Sequence, residues 1–122
     1  MNSPPESEHA CPCLEGDFDF QNFDERSLGV DRDFGEVSVQ KCKRCGRHWL
    51  RYLIEFEYLT RSGRWFRGLI APEIARSMTS EKAVEVLGQL DWYYRGGSAF
   101  GGKVFKTSGP LRPWLIPFSG QE

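Results

Sequence analysis

Hydrophobic and polar positions alternate most clearly from His48 onward. His48, Leu50, Tyr52, Ile54, Phe56 and Tyr58 take the even positions, while Arg47, Arg51, Glu55 and Glu57 take odd ones. A period of two puts alternate side chains on one face of a β-strand, so the pattern predicts a long strand with one apolar face. The segment RWFRGLI, residues 64 to 70, follows TRSG and predicts a second strand joined to the first as an antiparallel hairpin. A three-residue loop, Arg61 to Gly63, would set Tyr58 opposite Phe66, Ile54 opposite Ile70 and Glu57 opposite Arg67. A two-residue turn at Ser62 and Gly63 would set Tyr58 opposite Arg67 and exchange the faces. The first register keeps apolar groups together and is the expectation.

Other segments follow the same logic. In GDFDFQNF, Phe18 and Phe20 alternate with Asp17 and Asp19, which predicts a half-buried strand. DERSLGVDRDFG has glycines and acids without periodicity and is expected to be a loop. EVSVQKC restores alternation, with Val37 and Val39 inward, and delivers the chain to Cys42. Pro72 ends the second hairpin strand and starts a short helical turn through PEIARSM. The main helix is expected from about Ser80 to Tyr94. Thr79 or Ser80 would cap it, Ala83, Val84, Leu87, Leu90 and Tyr94 would form its buried stripe, and Gly96 and Gly97 would stop it. A short strand through Val104 to Thr107 follows.

These elements define an α+β fold: an antiparallel β-sheet with one main packed α-helix. With 122 residues the chain suits one domain. Residues 1 to 8, MNSPPESE, are expected to be a disordered lead-in, residues 9 to 107 the single metal-stabilised domain, and residues 108 to 122 a Pro-rich tail docked on it. Prolines at 110, 113 and 117 exclude a regular helix there, and Trp114, Leu115, Ile116 and Phe118 are expected to strap onto the core.

No apolar run reaches the roughly 18 residues that cross a bilayer, and Met1 to His9 lacks a signal-peptide pattern, so a cytoplasmic protein is expected. In that reducing compartment four cysteines suit metal ligation better than disulfides. The net charge of −1 hides an asymmetry: residues 1 to 36 carry ten acids against Arg26 and Arg32, and residues 37 to 76 carry nine bases against Glu55, Glu57 and Glu73. Either the two segments neutralise each other or the second offers a basic face.

Cys42 and Cys45 in KCKRCGRHW form a Cys-x-x-Cys-Gly turn. Its two-residue spacer lets both sulfurs converge on one ion, and its glycine tolerates a left-handed exit. The companion pair is CPC, Cys11 and Cys13, whose side chains share one direction in an extended segment. Together they predict a structural four-cysteine zinc site. Alternatives are substitution of a cysteine by His9 or His48 and a redox Cys-x-x-Cys. The alternation places His48 on the apolar face, and a redox motif would open a helix rather than a strand.

The cysteine pairs resemble the zinc-ribbon group over about residues 9 to 60, on Cys11, Cys13, Cys42, Cys45 and Gly46. The first pair has one intervening residue where two are usual. The resemblance implies a metal and little about the task, because ribbons serve in nucleic-acid enzymes, adaptors and structural inserts.

Chemistry beyond the metal is sparse. GGSAFGGK has phosphate-loop spacing but Val104 where a hydroxyl is needed, and it enters a strand rather than a helix. Only two histidines are present, and a four-cysteine zinc has no open position for water, so the sequence points away from an enzyme. The leading expectation is a domain acting through protein contacts, as an adaptor or an inhibitor- or immunity-like protein. Its partner-binding residues would be Arg47, Trp49, Arg51, Trp65 and Arg67. The alternative is a nucleic-acid-binding zinc ribbon using the same Arg/Trp hairpin face; a metal-dependent enzyme built on three cysteines and a water comes third.

Overall fold

The computed structural model describes residues 11–55 and 62–113. Six strands form one antiparallel sheet whose spatial order follows the chain: β1 (Phe23–Val30), β2 (Glu36–Cys42), β3 (His48–Ile54), β4 (Arg64–Ile70), β5 (Tyr93–Gly96) and β6 (Phe105–Thr107). Between β4 and β5 lie helix α1 (Pro72–Ser77), a 3₁₀ turn (Ser80–Lys82) and helix α2 (Ala83–Gln89). The coarse class is therefore α+β. The expected lead-in, His9, Phe56 to Arg61 and Trp114 to Phe118 lie outside the described residues.

The alternation in β2 and β3 is realised. Val37, Val39, Leu50, Tyr52 and Ile54 are buried on one face, together with Phe66, Ile70 and Tyr93 from the neighbouring strands. Ala75 and Met78 from the α1 region and Ala83 and Leu87 from α2 close over them. Because the helices deliver apolar stripes to this face, it forms the larger core.

Three expectations are corrected. The hairpin register is shifted: Tyr52, not Tyr58, lies opposite Phe66, and Ile54 lies opposite Arg64. The displacement is six residues, an even number, so the apolar face survives although every partner changes. The connection between β3 and β4 is accordingly longer than a tight turn. Secondly, DERSLGV is a strand and not a loop. As β1 it lies at the sheet edge with most side chains in solvent, and the bulge between Ser27 and Gly29 breaks its alternation, which removes the usual pattern. Thirdly, the main helix ends at Gln89. Leu90 turns extended, and Tyr93 and Tyr94 enter β5, one toward each face of the sheet. Both tyrosines are buried, so two-sided packing outweighed the helical spacing that linked Leu90 to Tyr94.

Residues 109–113 return over the helices. Leu111 is buried in the main core, the Tyr93 hydroxyl donates to the Gly109 carbonyl at 2.9 Å, and the Arg64 Nε–H donates to the Pro113 carbonyl at 2.6 Å. Gly88, a weak helix former, sits beneath this crossing: a Cβ there would lie 3.1 Å from the Leu111 nitrogen. The glycine is the space that lets the strap lie on α2.

At the β1–β2 turn, Asp31 is buried. One carboxylate oxygen accepts the Asp33 and Gly35 N–H groups at 3.0 and 2.9 Å, and the other accepts the Tyr52 hydroxyl at 2.8 Å. Burial, followed by this carboxylate, pushes the Tyr52 phenol above its ordinary range. Its contribution to stability is full below the unfolded value of about 10 and is lost as pH rises beyond it. Tyr52→Phe should cost about 1–3 kcal/mol at neutral pH. It should also flatten the alkaline decline in stability, both measured by urea unfolding across pH.

Candidate metal centre

Cys11 is extended, as CPC had suggested, but Cys13 is not: it lies within a 3₁₀ turn. Cys11 occupies its N-cap with Pro12 at the first position, and the turn spans Pro12–Glu15. Proline suits this place because it needs no N–H partner and its φ is preset. The turn folds the Cys13 side chain back toward that of Cys11, at an Sγ–Sγ distance of 3.5 Å. Cys42 is the last residue of β2, and Cys45 lies in the turn into β3. That turn is closed by the Cys42 N–H donating to the Arg47 carbonyl at 2.9 Å and the Gly46 N–H donating to the Cys42 carbonyl at 2.8 Å. Gly46 has φ +79°, the left-handed exit expected of it.

The two pairs meet. Cys11 and Cys42 sulfurs are 3.6 Å apart, as are those of Cys13 and Cys45, and all four lie within 4.8 Å of one another. A tetrahedral ion with metal–sulfur bonds of about 2.3 Å would separate its ligands by about 3.8 Å, close to these distances. All four cysteines are free thiols, three of them buried, so the donor set fits a thiophilic ion. His48 is on β3 and is not in the cluster. The Cys-x-x-Cys leads into a strand, not a helix.

The electrostatics suit ligation. Burial raises the Cys11 and Cys13 thiols above their ordinary value; at Cys13 the Trp49 indole opposes that rise. Burial would also raise Cys45, but the backbone N–H and guanidinium of Arg47, with the neighbouring thiols, outweigh it and bring Cys45 to about 6. The cluster therefore offers one ready thiolate beside thiols that give up protons on binding.

The cysteines hold down a segment. Residues 11–22 run across the sheet face opposite the helices, where a second cluster contains Cys11, Cys13, Phe23, Cys42, Trp49 and Tyr94, with Phe18, Trp65 and Trp92 packed against it. Phe18 is edge-on to Trp49, Trp65 and Tyr94, at centroid distances of 4.9, 5.6 and 5.8 Å. Such pairs add about 0.5–1.5 kcal/mol each beyond area burial. The Tyr94 hydroxyl donates to the Leu14 carbonyl at 2.6 Å, and the Lys43 N–H donates to the Asn22 carbonyl at 2.8 Å. The arm is thus attached along its length.

The residues expected to form a partner face are placed accordingly. Trp49 is wholly buried, and Arg67 is 8% exposed, sandwiched 4.4 Å from both the Phe18 and Trp65 rings with its Nε–H donating to Gln40 at 2.8 Å. Arg51 and Trp65 are half-buried, and Arg51 lies 3.5 Å from Glu25. Arg47 is engaged with Cys45. Part of the charge asymmetry is therefore neutralised internally, and the Arg/Trp face is the floor beneath the arm. Pattern reading missed the roles of Phe18, Tyr94 and Trp92. Phe18 was visible as an inward aromatic, but its 3₁₀ neighbour Phe20 is 77% exposed, so the two share no strand face.

Among known families, curated proteins and solved structures, none matches the chain. The zinc-ribbon resemblance accordingly rests on the cysteine cluster alone.

Because binding displaces thiol protons, metal retention should fall steeply as pH drops below neutrality, with more than one proton taken up per ion lost. Equilibrium competition with a chelator across pH measures this; a pH-independent occupancy would contradict the four-thiolate set.

Proposed function

We propose that the chain is a small protein-contact module, adaptor or inhibitor- and immunity-like in class, stabilised by a structural zinc ion on Cys11, Cys13, Cys42 and Cys45. Four thiolates suit zinc and leave a tetrahedral ion no position for water, which argues against hydrolytic chemistry. The Arg/Trp face lies under the arm, which argues against base stacking there.

The observation that carries the protein-contact reading is Phe34. It sits at the tip of the β1–β2 turn, 81% exposed, with φ +67°, the one non-glycine residue of positive φ among the described residues. That conformation costs about 1–2 kcal/mol, and within this chain the ring buries little in return. The turn is built to hold it: the Phe34 N–H donates to the Asp31 carbonyl at 3.0 Å, and the Asp31 side chain secures both flanking residues. Val30, 53% exposed, stands nearby at the end of β1. Strain kept where an aromatic faces solvent points to recognition.

Phe34→Gly separates stability from function. It should raise stability by about 1 kcal/mol through relief of the left-handed strain and leave metal content unchanged. It should also abolish recovery of a protein partner that the parent chain captures from its native extract. Capture unaffected by the change, or salt-sensitive retention of RNA or DNA by the parent chain, would refute the proposal in favour of another surface or of the nucleic-acid reading.

A further inference from the structure

Trp49 occupies the middle of the second cluster. It lies on β3 opposite Gln40 on one side and Leu69 on the other, and it is 0% exposed. Its indole Nε1–H has no hydrogen-bond partner among the described residues. An unsatisfied buried donor costs about 1–3 kcal/mol, a large penalty at the centre of a core. The nearby rings of Phe18, Trp92 and Tyr94 offer edges and faces rather than lone pairs. Of the other polar side-chain atoms in the cluster, the Tyr94 hydroxyl is engaged with the Leu14 carbonyl and the Trp65 and Trp92 indoles are donors only, which leaves the cysteine sulfurs as acceptors. A neutral thiol is a poor acceptor, whereas a metal-bound thiolate is a strong one. The indole is a donor only, so it can interact favourably with the charged form alone. Of these sulfurs, that of Cys13 is the one the Trp49 side chain interacts with.

We propose that the Trp49 indole N–H donates to the Cys13 sulfur once the centre holds its ion, making Trp49 a positioning residue that sets how tightly the ion is held. The proposal rests on the four-cysteine reading and extends it to the shell behind the ligands. It explains why a tryptophan, and not a phenylalanine of the same apolar character, stands at a wholly buried position. It also links the metal to the aromatic floor of the arm, because the ring that donates to Cys13 is the one on which Phe18 rests.

Trp49→Phe retains an aromatic ring and deletes the donor; Trp65→Phe is the control in the same cluster. Zinc retention against a competing chelator should fall about 10-fold in the first variant, the scale of lost outer-shell hydrogen bonds, and stay within twofold in the second. With cobalt in the site, the sulfur-to-metal charge-transfer band of Trp49→Phe should move to lower energy, since a thiolate without its donor is easier to oxidise; a purely packing role would leave that band in place. Should Trp49→Phe fail to fold, the parent chain loaded with NMR-active cadmium decides the matter, through a scalar coupling between the metal and the Trp49 indole proton. An unmoved band with unchanged retention, or no such coupling, overturns the proposal alone. A parent chain that takes up no zinc, cobalt or cadmium overturns it together with the four-cysteine reading.

Discussion

The convergence of four sulfurs at one end of the sheet is the constraint on which the remaining arrangement depends. Cys42 ends β2 and Cys45 lies in the turn into β3, while Cys11 caps and Cys13 lies within the 3₁₀ turn at the start of the arm. Bringing these together closes a loop of 28 residues between Cys13 and Cys42. That closure costs chain entropy, which ligand–metal bonds would offset on uptake of an ion. Its structural product is the arm over the sheet, with Phe18 set among Trp49, Trp65 and Tyr94.

The sheet consequently has two cores of different kinds. On the helix side, aliphatic and aromatic side chains pack as in any small α+β domain. On the arm side, the floor mixes tryptophans with Arg51 and Arg67, which stand directly opposite each other on β3 and β4. Like charges so placed repel. Glu25, held at 2.5 Å by the Ser38 hydroxyl, faces Arg51, while Gln40 and two aromatic rings engage Arg67. Burial and the Arg51 charge both lower the Arg67 pKa, although a guanidinium remains charged at any ordinary pH. Glu25 of β1 therefore serves Arg51 of β3 across the sheet, and Asp24 of β1 lies 3.9 Å from Lys43 in the turn into β3, which gives part of the charge asymmetry of the chain a structural meaning.

Much of this was legible in the residues. The alternation of β2 and β3, the short helix from Pro72 and the left-handed Gly46 follow from local chemistry, because each depends on near neighbours, and the pairing of CPC with CKRCG follows from the ligand chemistry of the two cysteine pairs. What local chemistry could not convey was what covers the second face. The odd positions of β3 read as a polar, solvent-facing row with Trp49 among arginines; their burial depends on a segment about thirty residues away. The edge strand β1 escaped because an edge need not alternate and a bulge breaks its period. The β3–β4 register escaped because pattern specifies the face and not the partner: a six-residue displacement satisfies the same alternation.

The central claim is that the metal holds residues 11–22 on the sheet while the helix-side core stands independently of it. Hydrogen exchange of the metal-loaded and chelator-stripped chain tests this directly. Loss of protection confined to the arm, to Lys43 and to the turn around Gly46, with β3, β4 and α2 still protected, is the predicted result. Equal protection of the arm in both states, or collapse of protection throughout the sheet on stripping, would contradict it.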